Sequence, residues 1–198
     1  KPQDDFTSDL ILTRDGDVPA LNAQEVATII FGLLLAGHET TTNLLGNAFF
    51  RLLSERDAWE ALCQDQGRIP NAIEEVLRYD SSVIAWRRKT TQAVDIGGVS
   101  VPADANLLLL LGSANRDPDV FADPDHFDIH RDNAKAHLSF GHGPHLCLGA
   151  PLARLEATVV LEELTARLPS LRLIPGQTFE YLPNVSFRGP RSILAVWD

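Results

Sequence analysis

The residues best suited to chemistry fall in one stretch, Phe140-Gly141-His142-Gly143-Pro144-His145-Leu146-Cys147-Leu148-Gly149. Three glycines and a proline in ten residues exclude regular structure and let the backbone come close to a bound group. Cys147 falls just before a helix expected from Ala150 to about Leu168. The positive end of that helix dipole favours thiolate. A thiolate held by glycine-rich backbone is a ligand for a soft, redox-active metal centre. Two other readings compete. A lone cysteine is most often a small buried hydrophobe. His137, His142, His145 and Cys147 together offer the donor types of a zinc site.

A second stretch breaks local rules. Asn22, with Glu25 three residues on, has the spacing of a capping box and opens a helix expected from Ala23 to about Leu53. Such a helix is roughly 45 Å long, enough to cross a domain. Its first part (Val26, Ile29, Ile30, Phe31, Leu33, Leu34, Leu35) is apolar nearly all round, the pattern of a buried helix. Ala36-Gly37-His38-Glu39-Thr40-Thr41-Thr42 then places a glycine, an acid and three β-branched hydroxyls in its middle. These are costly inside a buried helix, and a costly sequence at such a place marks either a functional site or a polar patch facing another helix. A third stretch, Glu75-Val76-Leu77-Arg78, sits on a helix opened by Pro70 and puts acid and base three apart on one face. Taken alone, that is a solvated ion pair of little worth.

The spacing Phe140-x-x-Gly143-x-His145-x-Cys147-x-Gly149 resembles the haem-binding loop of the cytochrome P450 family. Ala36-Gly37-x-Glu39-Thr40 resembles that family's oxygen-binding groove, and Glu75-x-x-Arg78 its buried ion pair. The three motifs fall in the family's order. The resemblance implies a mainly α fold with small β-sheets, with residues 1–198 forming the C-terminal part of a single haem-binding domain. It implies haem b (iron protoporphyrin IX) as cofactor and Cys147 as the axial thiolate that favours O–O cleavage. Phe140 would shield the thiolate, while Gly141, Gly149 and Ala36 lie where the backbone approaches the haem. Glu39 and Thr40 would relay protons to oxygen; Thr40 is preferred to Thr41 because it directly follows the acid. Arg88, with Arg87 as runner-up, and His145 would hold the propionates, since guanidinium pairs well with carboxylate. Val83, Ile84, Ala85 and Val185, with Ala36, would line the substrate pocket. The implied reaction inserts one atom of O2 into a small apolar organic substrate and reduces the other to water. Electrons would come from NAD(P)H through a fused flavin and iron–sulfur reductase or a separate ferredoxin. Leu33 to Asn43 and Ser81 to Arg88 are similar to the self-sufficient, reductase-fused class. A peroxygenase or a haem-binding sensor or carrier would have no use for the Glu39-Thr40 relay, and a fragment without cofactor remains a further alternative.

The elements that must position these residues read as follows. Phe6 to Ala20 reads as a short helix followed by a turn at Asp15-Gly16-Asp17. A short helix carrying Trp59 to Gln64 precedes the Pro70 helix, and Cys63 packs there. Val94 to Val101 alternates about Gly97-Gly98, a hairpin signal. Leu107 to Leu111 reads as a buried segment, and Ala114 to Arg131 as an irregular stretch rich in Asp-Pro turns, with His126 and His130 on the surface. The last helix carries Leu152, Leu155, Val159 and Leu164 along one side, and Leu171 to Leu173 and Ser192 to Val196 read as strands.

Composition agrees. The chain has 198 residues, 44% hydrophobic and 22% charged, an ordinary globular balance. A net charge of −10 with no basic cluster argues against nucleic acid. Two cysteines, Cys63 and Cys147, make no disulfide framework and suit reducing cytoplasm. The longest apolar run, Ala27 to Gly37, is too short to span a bilayer, so no membrane is expected.

Overall fold

The computed structural model describes residues 1–198 as two compact units, Lys1–Glu39 and Thr40–Asp198. The first holds helix α1 (Phe6–Leu12) and a two-stranded ribbon, β1 (Arg14–Asp15) with β2 (Val18–Pro19), which turns on Gly16 at φ +62°. It also holds the start of α2 (Ala23–Ser54), a helix shared by residue range with the second unit. The capping box is formed: the Asn22 side chain accepts from Gln24 and Glu25 N–H at 2.9 and 3.0 Å, and Glu25 accepts from Asn22 N–H at 2.7 Å.

The second unit is helical with small antiparallel sheets. Its helices are α3 (Arg56–Gln64), α4 (Ile69–Tyr79), α5 (Leu111–Ala114) and α6 (Ala150–Arg167). Strand β3 (Trp86–Lys89) pairs with β6 (Asn106–Leu109), and β4 (Val94–Ile96) pairs with β5 (Val99–Val101) about Gly97-Gly98. Strand β7 (Arg172–Leu173) pairs with β8 (Ala195–Val196). Pro70 sits in the first turn of α4, where the missing N–H is not needed. The core gathers Leu44, Ala48 and Leu52 of α2, Trp59 and Leu62 of α3, Ile73, Val76 and Leu77 of α4, and Ala157 and Leu161 of α6. Cys63 is half-buried beside it. Trp59 has no exposed surface and donates its indole N–H to Pro169 O at 3.1 Å, so its polar end is satisfied.

Three expectations are corrected. The apolar start of α2 is not buried: Phe31, Leu34 and Leu35 are 69, 69 and 64% exposed. A helix apolar on every side needs neighbours on every side, and these residues lack them within this chain. Leu107 to Leu111 is not a buried segment either. Leu107–Leu109 lie in β6 of a sheet of only two strands, and Leu108, Leu109 and Leu110 are exposed. On α6, Leu152, Leu155 and Val159 face outward, and the packed side is Ala150, Ala157, Leu161 and Thr165. Ala150 and Ala157 let α6 approach α4 closely, and Leu161, with Leu164 packed against the core, completes the buried face.

Candidate functional site

The cysteine loop is built from backbone turns. Gly141 N–H donates to Leu138 O at 2.8 Å, Leu146 N–H to Gly143 O at 2.9 Å, and Cys147 N–H to Phe140 O at 2.9 Å. Gly141 and Gly143 stand at φ +74° and +76°, a region where side chains other than glycine's are strained. Gly149 has an ordinary φ of −81° and caps α6, and a Cβ there would lie 3.9 Å from Cys147 Sγ. Cys147 is exposed, which excludes the buried-hydrophobe reading. No group of three or more His, Cys, Asp or Glu side chains is placed to hold a metal ion, and the zinc reading falls with it. Leu146 and Leu148, on either side of the cysteine, are 59 and 85% exposed, with Leu152 and Leu155 open on the helix that follows. An exposed sulfur among exposed apolar side chains fits a flat apolar cofactor with a thiophilic metal.

Beneath the loop lie two buried charge networks, both rooted in α4. Glu75 and Arg78 have no exposed side-chain surface. Arg78 donates from Nε and Nη2 to Glu75 at 2.7 and 2.8 Å, and its remaining N–H groups go to the carbonyls of Asn115, Pro124 and His126. Arg131 joins Glu75 at 3.2 Å, and Asp128 N–H donates to the same carboxylate at 2.9 Å. Asn115, itself fully buried, carries the link onward: its side chain accepts from Leu138 N–H at 2.7 Å and donates to Ser139 Oγ at 2.8 Å. Ser139 Oγ in turn donates to Leu77 O at 2.6 Å. The ion pair of α4 thus reaches the two residues that lead into Phe140.

The second network centres on Glu74. Its carboxylate takes Arg154 Nε and Nη2 at 2.6 and 2.9 Å and His137 Nε2 at 3.0 Å. Ser139 N–H donates to His137 Nδ1 at 3.1 Å, which fixes the tautomer: Nδ1 accepts, so Nε2 carries the proton given to Glu74. Burial, the largest single influence, would raise the Glu74 carboxyl; the hydrogen bonds from His137 and Arg154 and the Arg154 charge outweigh it and hold it at about 2. The Glu74 hydrogen bond raises Arg154 above its ordinary value against the effect of burial, and the nearby charges of Glu74 and Cys147 add to it.

The structure brings some of the expected site residues together. Phe140, Gly141, His145, Cys147 and Gly149 share the loop, with Phe140 half-buried and His145 exposed. Ile84 N–H donates to Ser186 O at 2.8 Å and Val83 bridges Phe187, which sets Val83, Ile84 and Ala85 beside the turn that carries Val185. Ile84, Ala85 and Val185 line a cavity of about 600 Å³ together with Leu108, Leu110 and Tyr181. Val83 is not among its lining residues, and neither is any member of the cysteine loop. Arg88 is exposed on β3 and donates to Arg87 O at 2.9 Å. Ala36 is exposed on α2, and Glu39 and Thr40 follow on the same helix, both half-buried.

The sequence reading missed Arg131, Asn115, Glu74, His137 as a partner of Glu74, and Arg154. For Arg131 a signal existed, since a buried carboxylate has room for a second guanidinium. For Glu74 none did, because two consecutive acids on a helix would ordinarily leave one in solvent.

The model of the family described as Cytochrome P450 matches residues 1–168. The cytochrome P450 monooxygenase PikC of Streptomyces venezuelae is 43% identical over 197 residues, 98% of this chain and 47% of that protein. Among solved structures, cytochrome P450 CREJ in complex with (4-ethylphenyl) dihydrogen phosphate is 43% identical with a TM-score of 0.95, covering 99% of this chain and 48% of that one. An intact type IV self-sufficient cytochrome P450 monooxygenase is 50% identical with a TM-score of 0.88, covering 89% of this chain and 23% of that one. The chain spans about half the length of the curated relatives it matches.

Proposed function

Because this chain belongs to the cytochrome P450 family, we propose that the complete protein is a haem-thiolate monooxygenase and that residues 1–198 are the C-terminal part of its haem domain. The observation that carries the reading is the exposed Cys147, held by its own N–H to Phe140 O and set among exposed leucines. When bound, haem b supplies the chemistry of O2 activation.

This chain's residues do the rest. Cys147 would be the thiolate ligand of the haem iron, and Gly141 and Gly143, both at positive φ, shape the turn that carries it. Phe140 shields it from water. Gly149 and Ala36 would belong to the segments that receive the haem. His145 and Arg88, both exposed, would hold the propionates. Glu39 and Thr40 hold and pass protons, since a carboxylate beside a hydroxyl can take a proton from water and hand it on. Ile84, Ala85 and Val185 would give the substrate side apolar contacts suited to a small organic molecule, in a cavity that Asp80, Arg116 and Arg188 also line. Val83 supports them through its bridge to Phe187.

The electrons come from NAD(P)H through a redox partner. That partner is either a fused reductase, as in the self-sufficient enzyme to which the chain is similar, or a separate ferredoxin. No helix is long and apolar enough to cross a membrane, in keeping with a cytoplasmic enzyme.

The deciding experiment is the difference spectrum of the reduced, carbon monoxide-treated full-length protein. A red-shifted Soret band that is lost in Cys147→Ser supports the thiolate. A band unchanged by that substitution, or no haem band at all, overturns the reading.

A further inference from the structure

Phe140 is held by a device that the family motifs do not contain. The Arg154 guanidinium lies 4.6 Å from the centre of the Phe140 ring. The His137 ring packs against the same ring with centroids 5.8 Å apart. Both are held by one carboxylate, Glu74, which is 3% exposed and receives three hydrogen bonds from them. Phe140 O, in turn, accepts the Cys147 N–H.

We propose that Glu74 is a positioning residue for the sulfur loop: through Arg154 and His137 it fixes the Phe140 ring, and with it the carbonyl that orients Cys147. The inference rests on the reading of Cys147 as the haem ligand. The physical argument is one of degrees of freedom. An arginine side chain has several rotors and by itself holds a ring loosely. Two hydrogen bonds to one buried carboxylate remove that freedom and hold the guanidinium over the aromatic ring. His137 is fixed at both ring nitrogens, by Ser139 N–H and by Glu74. A ring held by two rigid neighbours cannot leave its place without breaking a charge-assisted bond. The three partners come from different elements, α4, the approach to the loop and α6, so the loop is registered against both helices.

The alternative is that the Glu74–Arg154 pair only joins α4 to α6. The full-length holoenzyme separates the two roles. Its readouts are the rate at which the ferrous carbonyl complex converts from the red-shifted to the blue-shifted Soret form, the ferric/ferrous reduction potential, and the melting temperature. Glu74→Gln is expected to keep haem but to convert faster, on the order of tenfold, the worth of one charge-assisted hydrogen bond, with a shifted potential. Phe140→Leu is expected to do the same. The double variant is expected to add nothing to the larger single effect, because one residue acts through the other. A Glu74→Gln protein with a lower melting temperature but an unchanged conversion rate and potential overturns the proposal, as do fully additive effects. Should Glu74→Gln fail to take up haem, Arg154→Lys keeps the positive charge but loses the planar contact; it is expected to convert faster, and an unchanged rate overturns the proposal. A wild-type protein without the red-shifted band overturns the Cys147 reading itself, a result distinct from the others.

Discussion

Arg78 gives all five of its guanidinium N–H groups to protein acceptors, two of them on Glu75, and neither side chain has exposed surface. A buried pair of this kind adds little against an apolar replacement, but breaking it strands a charge without solvent. Glu75→Ala and Arg78→Ala are therefore expected to cost about 3–5 kcal/mol each. Arg78→Lys is expected to fail nearly as badly, since an ammonium has three donors where five acceptors wait. Denaturant unfolding of the full-length variants measures this, and a loss below about 1 kcal/mol would show that the network is replaceable.

Thr40 directly follows Glu39 on α2, and both are half-buried. If the pair passes protons, Thr40→Ala is expected to keep haem and substrate binding while O2 consumption becomes uncoupled from product and peroxide is released. Thr40→Ser keeps the hydroxyl and is expected to keep coupling. The check is the ratio of product formed to NAD(P)H oxidised in the full-length enzyme. An Ala variant as tightly coupled as the wild type removes Thr40 from the relay.

The extent to which these features were legible in the sequence follows from the range of the interactions. The capping box at Asn22 and Glu25, the hairpin turn at Gly97-Gly98 and the loop around Cys147 are local, and each formed as read. The motif resemblance placed Glu75 and Arg78 in the core, where short-range reasoning alone would have put a solvated pair. What stayed hidden is long-range. Nothing near Glu74 says that Arg154, 80 residues on, will meet it. Nothing in five leucines says that β6 lies in a sheet of only two strands. The exposed start of α2 was misread for a related reason: periodicity tells which faces are apolar but not what covers them.

Gly141 and Gly149 both lie in the sulfur loop, yet they are not equivalent. Gly141 stands at φ +74°, where an added Cβ is strained whatever the space, while Gly149 has φ −81° and its Cβ would meet Cys147 Sγ at an ordinary 3.9 Å. Gly141→Ala is expected to cost about 1–2 kcal/mol and to weaken haem retention. Gly149→Ala is expected to cost under about 1 kcal/mol. Haem loss to an acceptor such as apomyoglobin, together with denaturant unfolding, ranks the two. The opposite order would mean that the loop is shaped by contact with the haem rather than by its own backbone.

The Glu74 carboxyl is held at about 2 against an ordinary 4.5, so the folded protein resists a proton that the unfolded chain would accept. A lowered pKa makes this contribution fully present above pH 4.5, and it is lost as pH falls toward 2. A shift of that size corresponds to about 3 kcal/mol in full, of which about 2 kcal/mol is gone by pH 3. Arg154 stays charged throughout. Glu74→Gln cannot titrate, so it is expected to be less stable than wild type at pH 7, with the gap closing by about 2 kcal/mol at pH 3. Urea unfolding of both full-length proteins across that range reads the difference directly. A gap that stays constant with pH would mean that the carboxylate is not held charged by Arg154 and His137, and the hold on Phe140 would then need another source.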